Sequence, residues 1–264
     1  MNAVKILFIN MLCVLTLAQC LPAYAQVRIH SHNDYTHRQP LTEALGKGIY
    51  SIEADVFLQF DSLVVAHTRK GLGQAKGLNE QYLTPLKSYL LGDTLPPVLK
   101  PGQLMVDFKD SWQTTYPVFI KVVQPHLAMF RRKPDGPGML LTISGNRPPD
   151  STFHRYPDFI YFDGLPFVKY RPRDLRKVVM ISDNFKKSSA WNGAGQLPAA
   201  DQVALKKIID DAHLKGKPVR FWNAPDTEEA WKQLAELGVD IINTDRVSEC
   251  KRYLLSLQKP KNTL

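Results

Sequence analysis

The stretch "YSIEAD", residues 50–55, is an apolar, strand-like run that carries two acids two positions apart. Successive side chains of a strand point to opposite faces, so Glu53 and Asp55 would share one face. The same spacing recurs along the chain: His30 and His32 in "VRIHSH" (27–32), Asp107 and Lys109 in "QLMVDFK" (103–109), and Asn243 and Asp245 at and just beyond the end of "VDIIN" (239–243). Four more β-branched or apolar runs, "MLLTIS" (139–144), "FIYFD" (159–163), "VVMIS" (178–182) and "PVRFW" (218–222), bring the candidate strands to eight.

Helical patterns lie between them. "PLTEALGKG" opens on Pro40, "AADQVALKKIIDDAHLKG" ends at Gly216, and "DTEEAWKQLAELG" starts on an Asp226/Thr227 cap and stops at Gly238. "PVFIKVVQPHLAMF" has apolar residues at helical spacing, but Pro125 should break or kink it. Strands alternating with helices eight times predict an α/β fold, a single-domain (β/α)8 TIM barrel. The connections at 145–158 and 164–177 are poor in helical pattern, so two helices are expected to be short or degenerate. The extra run "DSLVVAH" (61–67) reads as a small β excursion over the barrel mouth.

Residues 1–25 carry Lys5, the apolar run "ILFINMLCVLTLA" and then "AYA" before Gln26. A short apolar core followed by a small-x-small site reads as a cleaved signal peptide, too short and wrongly flanked for a membrane span. The barrel is assigned to 26–258 and a tail to 259–264. Export to a periplasmic or extracellular space is expected. A lipid anchor on Cys20 in "LAQC" ranks second, because Gln19 is bulky for the position before such a cysteine. Cleavage would remove Cys13 and Cys20 and leave Cys250 alone, so stability must come from a hydrophobic core rather than a disulfide.

The net charge of +9 loses one unit with Lys5. A basic surface favours anionic partners such as phosphate esters or lipid head groups. No basic block with interleaved aromatics marks a nucleic-acid track, and "FRRKP" (130–134) reads as a solvated helix end.

In a barrel of this kind the paired polar residues gather at the carboxyl ends of strands, where such enzymes place their sites. Glu53, Asp55 and Asp107 would then offer three hard oxygen ligands, a set suited to Mg²⁺ or Ca²⁺ rather than zinc. The structural alternative is an ion-pair network with Lys109 or an arginine. One histidine from "HSHN" and His67 from "VVAHT" can act as general base and general acid from opposite sides of a substrate. His37, His126, His154 and His213 lie outside strand ends and are assigned structural roles.

The ordered pattern "HSHNDY … PLTEALGKGIYSIEADVFLQFDSLVVAHT … LMVDFKD … IINTDR" resembles the phospholipase-C-like phosphodiesterase superfamily, which includes glycerophosphodiester phosphodiesterases and sphingomyelinase D. It is most similar to the group named for the altered-inheritance-of-mitochondria protein. The matching segments run from residue 29 to 246. The resemblance implies a barrel, a divalent cation and a pair of catalytic histidines acting on a phosphodiester. Position by position it assigns Glu53, Asp55 and Asp107 to the metal, His67 to the second histidine and Lys109 to the lysine that helps hold phosphate. For the first histidine it favours His32, with His30 supporting it or touching the metal. Asn33 stands where glycerophosphodiesterases carry arginine, Asp107 where they carry glutamate, and Thr68 where they often carry aspartate, so glycerol-specific recognition does not follow.

Asn33, Trp222 and Asn223 are taken as substrate-binding candidates, with Ser144, Asn146, Asp163, Ser182 and Asn184 as further polar residues near strand ends. The expected partner is a phosphodiester small molecule or a lipid head group, with peripheral membrane contact as an option; neither nucleic acid nor a protein partner is expected. Two rivals stand beside this reading. One takes "HSH" as the metal pair of an amidohydrolase- or phosphatase-like barrel, with Asp245 as the final-strand acid; the other is a non-catalytic barrel that binds an anionic ligand.

Overall fold

In a computed structural model that describes residues 27–92 and 102–258, all eight anticipated strands form and close on one another. They are β1 (Arg28–Ser31), β2 (Ser51–Gln59), β4 (Gln103–Phe108), β5 (Leu140–Gly145), β6 (Ile160–Gly164), β7 (Val178–Asn184), β8 (Val219–Trp222) and β9 (Ile241–Thr244). Each pairs in parallel with the next, and β1 pairs with both β9 and β2, so the sheet has no seam. The extra run becomes β3 (Ser62–Val65), antiparallel to the outer half of the nine-residue β2, with Val56 opposite Val65 and Gln59 opposite Ser62. The anticipated signal peptide, Cys13, Cys20 and the tail at 259–264 lie outside the described residues.

Seven helices wrap the described barrel: α1 (Thr42–Gly46), α2 (Thr84–Leu91), α3 (Trp112–Val123), α4 (Pro172–Leu175), α5 (Ala199–Leu214), α6 (Glu228–Leu237) and α7 (Val247–Leu257). α3 stops one residue before Gln124, and the chain passes through Pro125 as a 3-10 turn, because proline has no N–H to continue an α-helical ladder. The Thr227 hydroxyl accepts the Ala230 N–H at 3.2 Å to cap α6, and Gly238 closes it at a φ of 105°. The two helix-poor connections hold only a 3-10 turn (Asp150–Arg155) and the four-residue α4. Asp174 ties them together, accepting from His154 N–H at 3.1 Å, His154 Nδ1 at 2.6 Å and Arg171 Nε at 2.8 Å.

The core lies between the barrel wall and the helices, filled by residues such as Ile52, Val106, Phe119, Ile143, Phe162 and Trp231. Inside the barrel a separate lower layer of Met105, Met180 and Ile241 closes the floor. Burying such side chains contributes roughly 1.5–3 kcal/mol each, and Cys250, fully buried against this core, adds no disulfide. Among the described residues no helix is long and apolar enough to cross a membrane.

Candidate active site

The apolar floor leaves the upper, carboxyl end of the barrel to polar groups. A cavity of about 580 Å³ opens there, lined by His32, Glu53, Asp55, His67, Asp107 and Lys109 on one side and by Ser144, Arg147, Asp163, Ser182 and Arg220 on the other. Asn33, Trp222 and Asn223 also line it, so all three substrate-binding candidates stand at the cavity. His30 does not. Asn184 is turned aside, its Oδ1 accepting from Lys186 N–H and Asn223 Nδ2, and Asn146 donates to Lys109 O at 2.9 Å.

Glu53 and Asp55 alternate inward from β2, and Asp107 sits opposite Asp55 in the neighbouring β4. One oxygen from each of the three lies within 4.8 Å of the others. Lys109 Nζ is 2.8 Å from Asp55 Oδ2 and 2.9 Å from Asp107 Oδ1, so the ion-pair network considered from the sequence is present as well. Burial and the Glu53 charge push the Asp55 carboxyl up to about 7 despite the opposing Lys109. Its Oδ1 is buried without a partner. A hard, oxygen-only donor set with one carboxylate oxygen left over fits a divalent cation.

The two residues of the HxH pair part company. His32 places Nδ1 2.8 Å from Asp245 Oδ1 and Nε2 3.9 Å from Glu53 Oε2. Burial works to lower its basicity, but the Asp245 hydrogen bond and the Glu53 charge outweigh it and raise its pKa. His30 is fully buried below, with Nδ1 2.7 Å from Ser51 Oγ and Nε2 between Glu53 Oε2 (2.9 Å) and Arg220 Nη1 (2.6 Å). Burial, and then Arg220, drop its pKa to about 4, which keeps the ring neutral. His30 therefore supports Glu53 from beneath, and the two-imidazole metal pair of the rival hydrolase reading is not formed at the cavity. Burial works to raise Glu53, yet the His30 hydrogen bond and the neighbouring His32 and Arg220 hold its carboxyl far below the usual range.

His67 stands exposed on the strand-end segment after β3 and faces the same cavity from the other side. The other histidines have structural partners: His37 with Asp245 O, His126 with Asn79, His154 with Asp174 and His213 with Asp240. Tyr35, not singled out from the sequence, brings its hydroxyl 2.7 Å from Asp55 Oδ2 and 2.8 Å from Asn33 Oδ1. Its single proton favours the charged carboxylate.

The largest omission from the sequence reading is Arg220. In the middle of β8 and 3% exposed, it reaches Ser182 Oγ at 3.1 Å, Asn243 Oδ1 at 3.2 Å and Asp163 Oδ2 at 3.3 Å, with Glu53 Oε2 at 3.8 Å. The signal available was a lone arginine inside the apolar run "PVRFW". Gly145, at the end of β5 with φ 67°, is fixed by its neighbours: a Cβ there would stand 2.4 Å from Asp107 Oδ1. The loop carrying Arg147 thus packs directly on the Asp107 carboxylate.

Residues 21–95 match the AIM6-like phosphodiesterase domain family and residues 218–247 the glycerophosphoryl diester phosphodiesterase family. The altered inheritance of mitochondria protein 6 homolog of Arthroderma benhamiae is 27% identical, the match covering 86% of this chain and 83% of that protein. The Eremothecium gossypii protein of the same name is 24% identical over 86% and 69%. Among solved structures, a glycerophosphodiester phosphodiesterase from Parabacteroides distasonis superimposes with a TM-score of 0.60 at 17% identity, covering 89% of this chain and 99% of that one. A putative glycerophosphoryl diester phosphodiesterase from Silicibacter pomeroyi gives 0.57 at 15% identity, over 88% and 94%. The two structures share the barrel. By the order of its motifs and by these partial matches, the chain is similar to the AIM6-like phosphodiesterase domain at its N-terminal end and to the glycerophosphoryl diester phosphodiesterase family over its last strand region.

Proposed function

We propose that the chain is an exported phosphoric diester hydrolase that acts on a glycerophosphodiester or a phospholipid-like head group by two-histidine acid/base catalysis. The observation that carries this reading is one cavity faced by His32 and His67 from different elements, with three clustered carboxylates and Lys109 between them. Glu53, Asp55 and Asp107 would hold Mg²⁺ or Ca²⁺. When bound, such a cation offsets the charge that develops on a phosphate oxygen.

The chain's own groups divide the remaining work. With Nδ1–H donated to Asp245, His32 has Nε2 free to take the proton of the attacking hydroxyl, whether water or a neighbouring hydroxyl of the substrate. As the new P–O bond forms and the leaving P–O bond breaks, protonated His67 hands its proton to the departing oxygen. Lys109 supplies a fixed positive charge beside the phosphate; its two carboxylates outweigh the effect of burial and hold it well above the usual lysine range.

Hydrolysis of bis(p-nitrophenyl) phosphate by residues 26–264, with EDTA or with added Mg²⁺ or Ca²⁺, tests the reading. Turnover should require the divalent cation. His67→Ala should lower it by about 10²–10⁴-fold, and Glu53→Ala should remove the metal response. Full activity in both variants would place the site elsewhere, and no turnover of any diester by the wild type would favour a barrel that only binds an anionic ligand.

A further inference from the structure

Helix α5 turns Leu205, Ile208, Ile209 and Ala212 into the core, as an outer helix of a barrel must. Its other face carries apolar residues that core packing does not explain: Val203 and Leu214 are 72% and 89% exposed. Between them stand Lys207 and Asp210, at the steps of four, three and four residues that line up one seam of a helix. A shallow groove follows this seam, lined also by Phe167 and Leu237. Phe167 is 53% exposed and has a φ of 60°, in the left-handed region that a bulky side chain rarely adopts, with its N–H donated to Asp211 Oδ2 at 2.9 Å. The Lys207 ammonium lies 5.5 Å from the centre of that ring and, among the described residues, pairs with no carboxylate.

Along the helix the seam reads apolar, cationic, anionic, apolar, so it is complementary to its own reverse. A second copy of α5 laid antiparallel, about a twofold axis level with Ile208 and Ile209, sets Val203 against the partner's Leu214 and Lys207 against the partner's Asp210. Symmetry makes each of these contacts twice. A parallel pairing would instead set Lys207 against Lys207 and Asp210 against Asp210. Within the helix Lys206 already bonds Asp210, and Lys215 bonds Asp211, which leaves Lys207 as the seam's cation for a partner. We propose that this face of α5 is the contact surface of a homodimer, with the two α5 helices antiparallel and Phe167 and Leu237 flanking the seam. None of the four seam residues lines the cavity that holds His32 and His67, so the pairing takes nothing from that site.

The dimer stands apart from the phosphodiesterase reading, and its test reads mass rather than turnover. Sedimentation of residues 26–264 over a dilution series should show a reversible monomer–dimer equilibrium. Lys207→Asp and Asp210→Lys each set like charges across the twofold axis, and each should weaken self-association by at least about tenfold. Mixed in equal amounts, the two variants should associate as the wild type does, because every charge pair across the seam is then opposite. One chain carrying both substitutions should dimerise for the same reason. Circular dichroism checks that each variant is folded. A monomer at every concentration, or a dimer that neither single variant weakens, overturns the proposal. So does a failure of both the mixture and the doubly substituted chain to recover association, since the face would then meet something other than its own copy.

Discussion

At His32 the two ring nitrogens have separate partners, and the catalytic assignment depends on that division. Asp245 fixes Nδ1 as the protonated nitrogen at 2.8 Å, which leaves Nε2 on the Glu53 side of the ring. Asp245→Asn should therefore lower kcat by about 10–100-fold while KM changes by less than about threefold, since the amide can orient the ring but not stabilise an imidazolium. A fall in kcat/KM caused by KM alone would mean that Asp245 binds substrate instead. Residues of this kind were legible where strand alternation exposes them: Glu53 and Asp55 are two apart in an otherwise apolar run, and Asp245 follows Asn243 by the same step. Arg220 was not, because a single arginine in a strand reads equally as a surface residue. Its partners, Asp163, Asn243 and His30, stand on three other strands and come within reach only when the barrel closes.

Among the elements, strands were easier to find than helices. Every strand carries its signal locally, as a β-branched or apolar run bounded by turn residues. Helices α2 and α7 passed unremarked, although both pack on the core. α2 follows directly on a π-turn (Asn79–Leu83), which shifts the apolar period just where the helix begins, and α7 interrupts its apolar positions with Glu249, Lys251 and Arg252 in its first two turns. Where helices are degenerate, a single carboxylate takes over part of their task. Burial acts to raise Asp174, but its bonds from His154 and Arg171 outweigh that and hold it at about 2. A depressed carboxyl stabilises the fold above its unfolded pKa of roughly 3.9 and loses that contribution as pH falls through the folded value. Asp174→Asn should thus cost about 2 kcal/mol at pH 7, or several degrees in Tm. Thermal melts should show about half of that difference at pH 3 and little of it near pH 2. A difference independent of pH would assign the loss to packing rather than to the charge.

For the whole molecule, the alternation of strands and helices was enough to predict the barrel, because few other folds close eight parallel strands with so short a chain. What alternation does not encode is the contents of the mouth, which come from loops between strands distant in sequence. The export proposal belongs to this scale too. Protein recovered from outside the cytoplasm should have an N-terminus at or near Gln26, read by Edman or mass-spectrometric sequencing. An N-terminus at Cys20 carrying a lipid would move the molecule to a membrane surface, and an uncleaved Met1 would retire the proposal.

The pairing of β1 with β9 also sets a timetable. His32 is among the first residues of the barrel to be made and Asp245 among the last, 213 positions later. A chain still emerging from the ribosome, or one cut short before its final strand, has the histidine but not the acid that directs it. With His32 and Asp245 in the roles proposed, the molecule gains its reactivity only when the last strand of the barrel has been made, so a copy cut short before it would be harmless to the phosphodiesters of the cell that builds it.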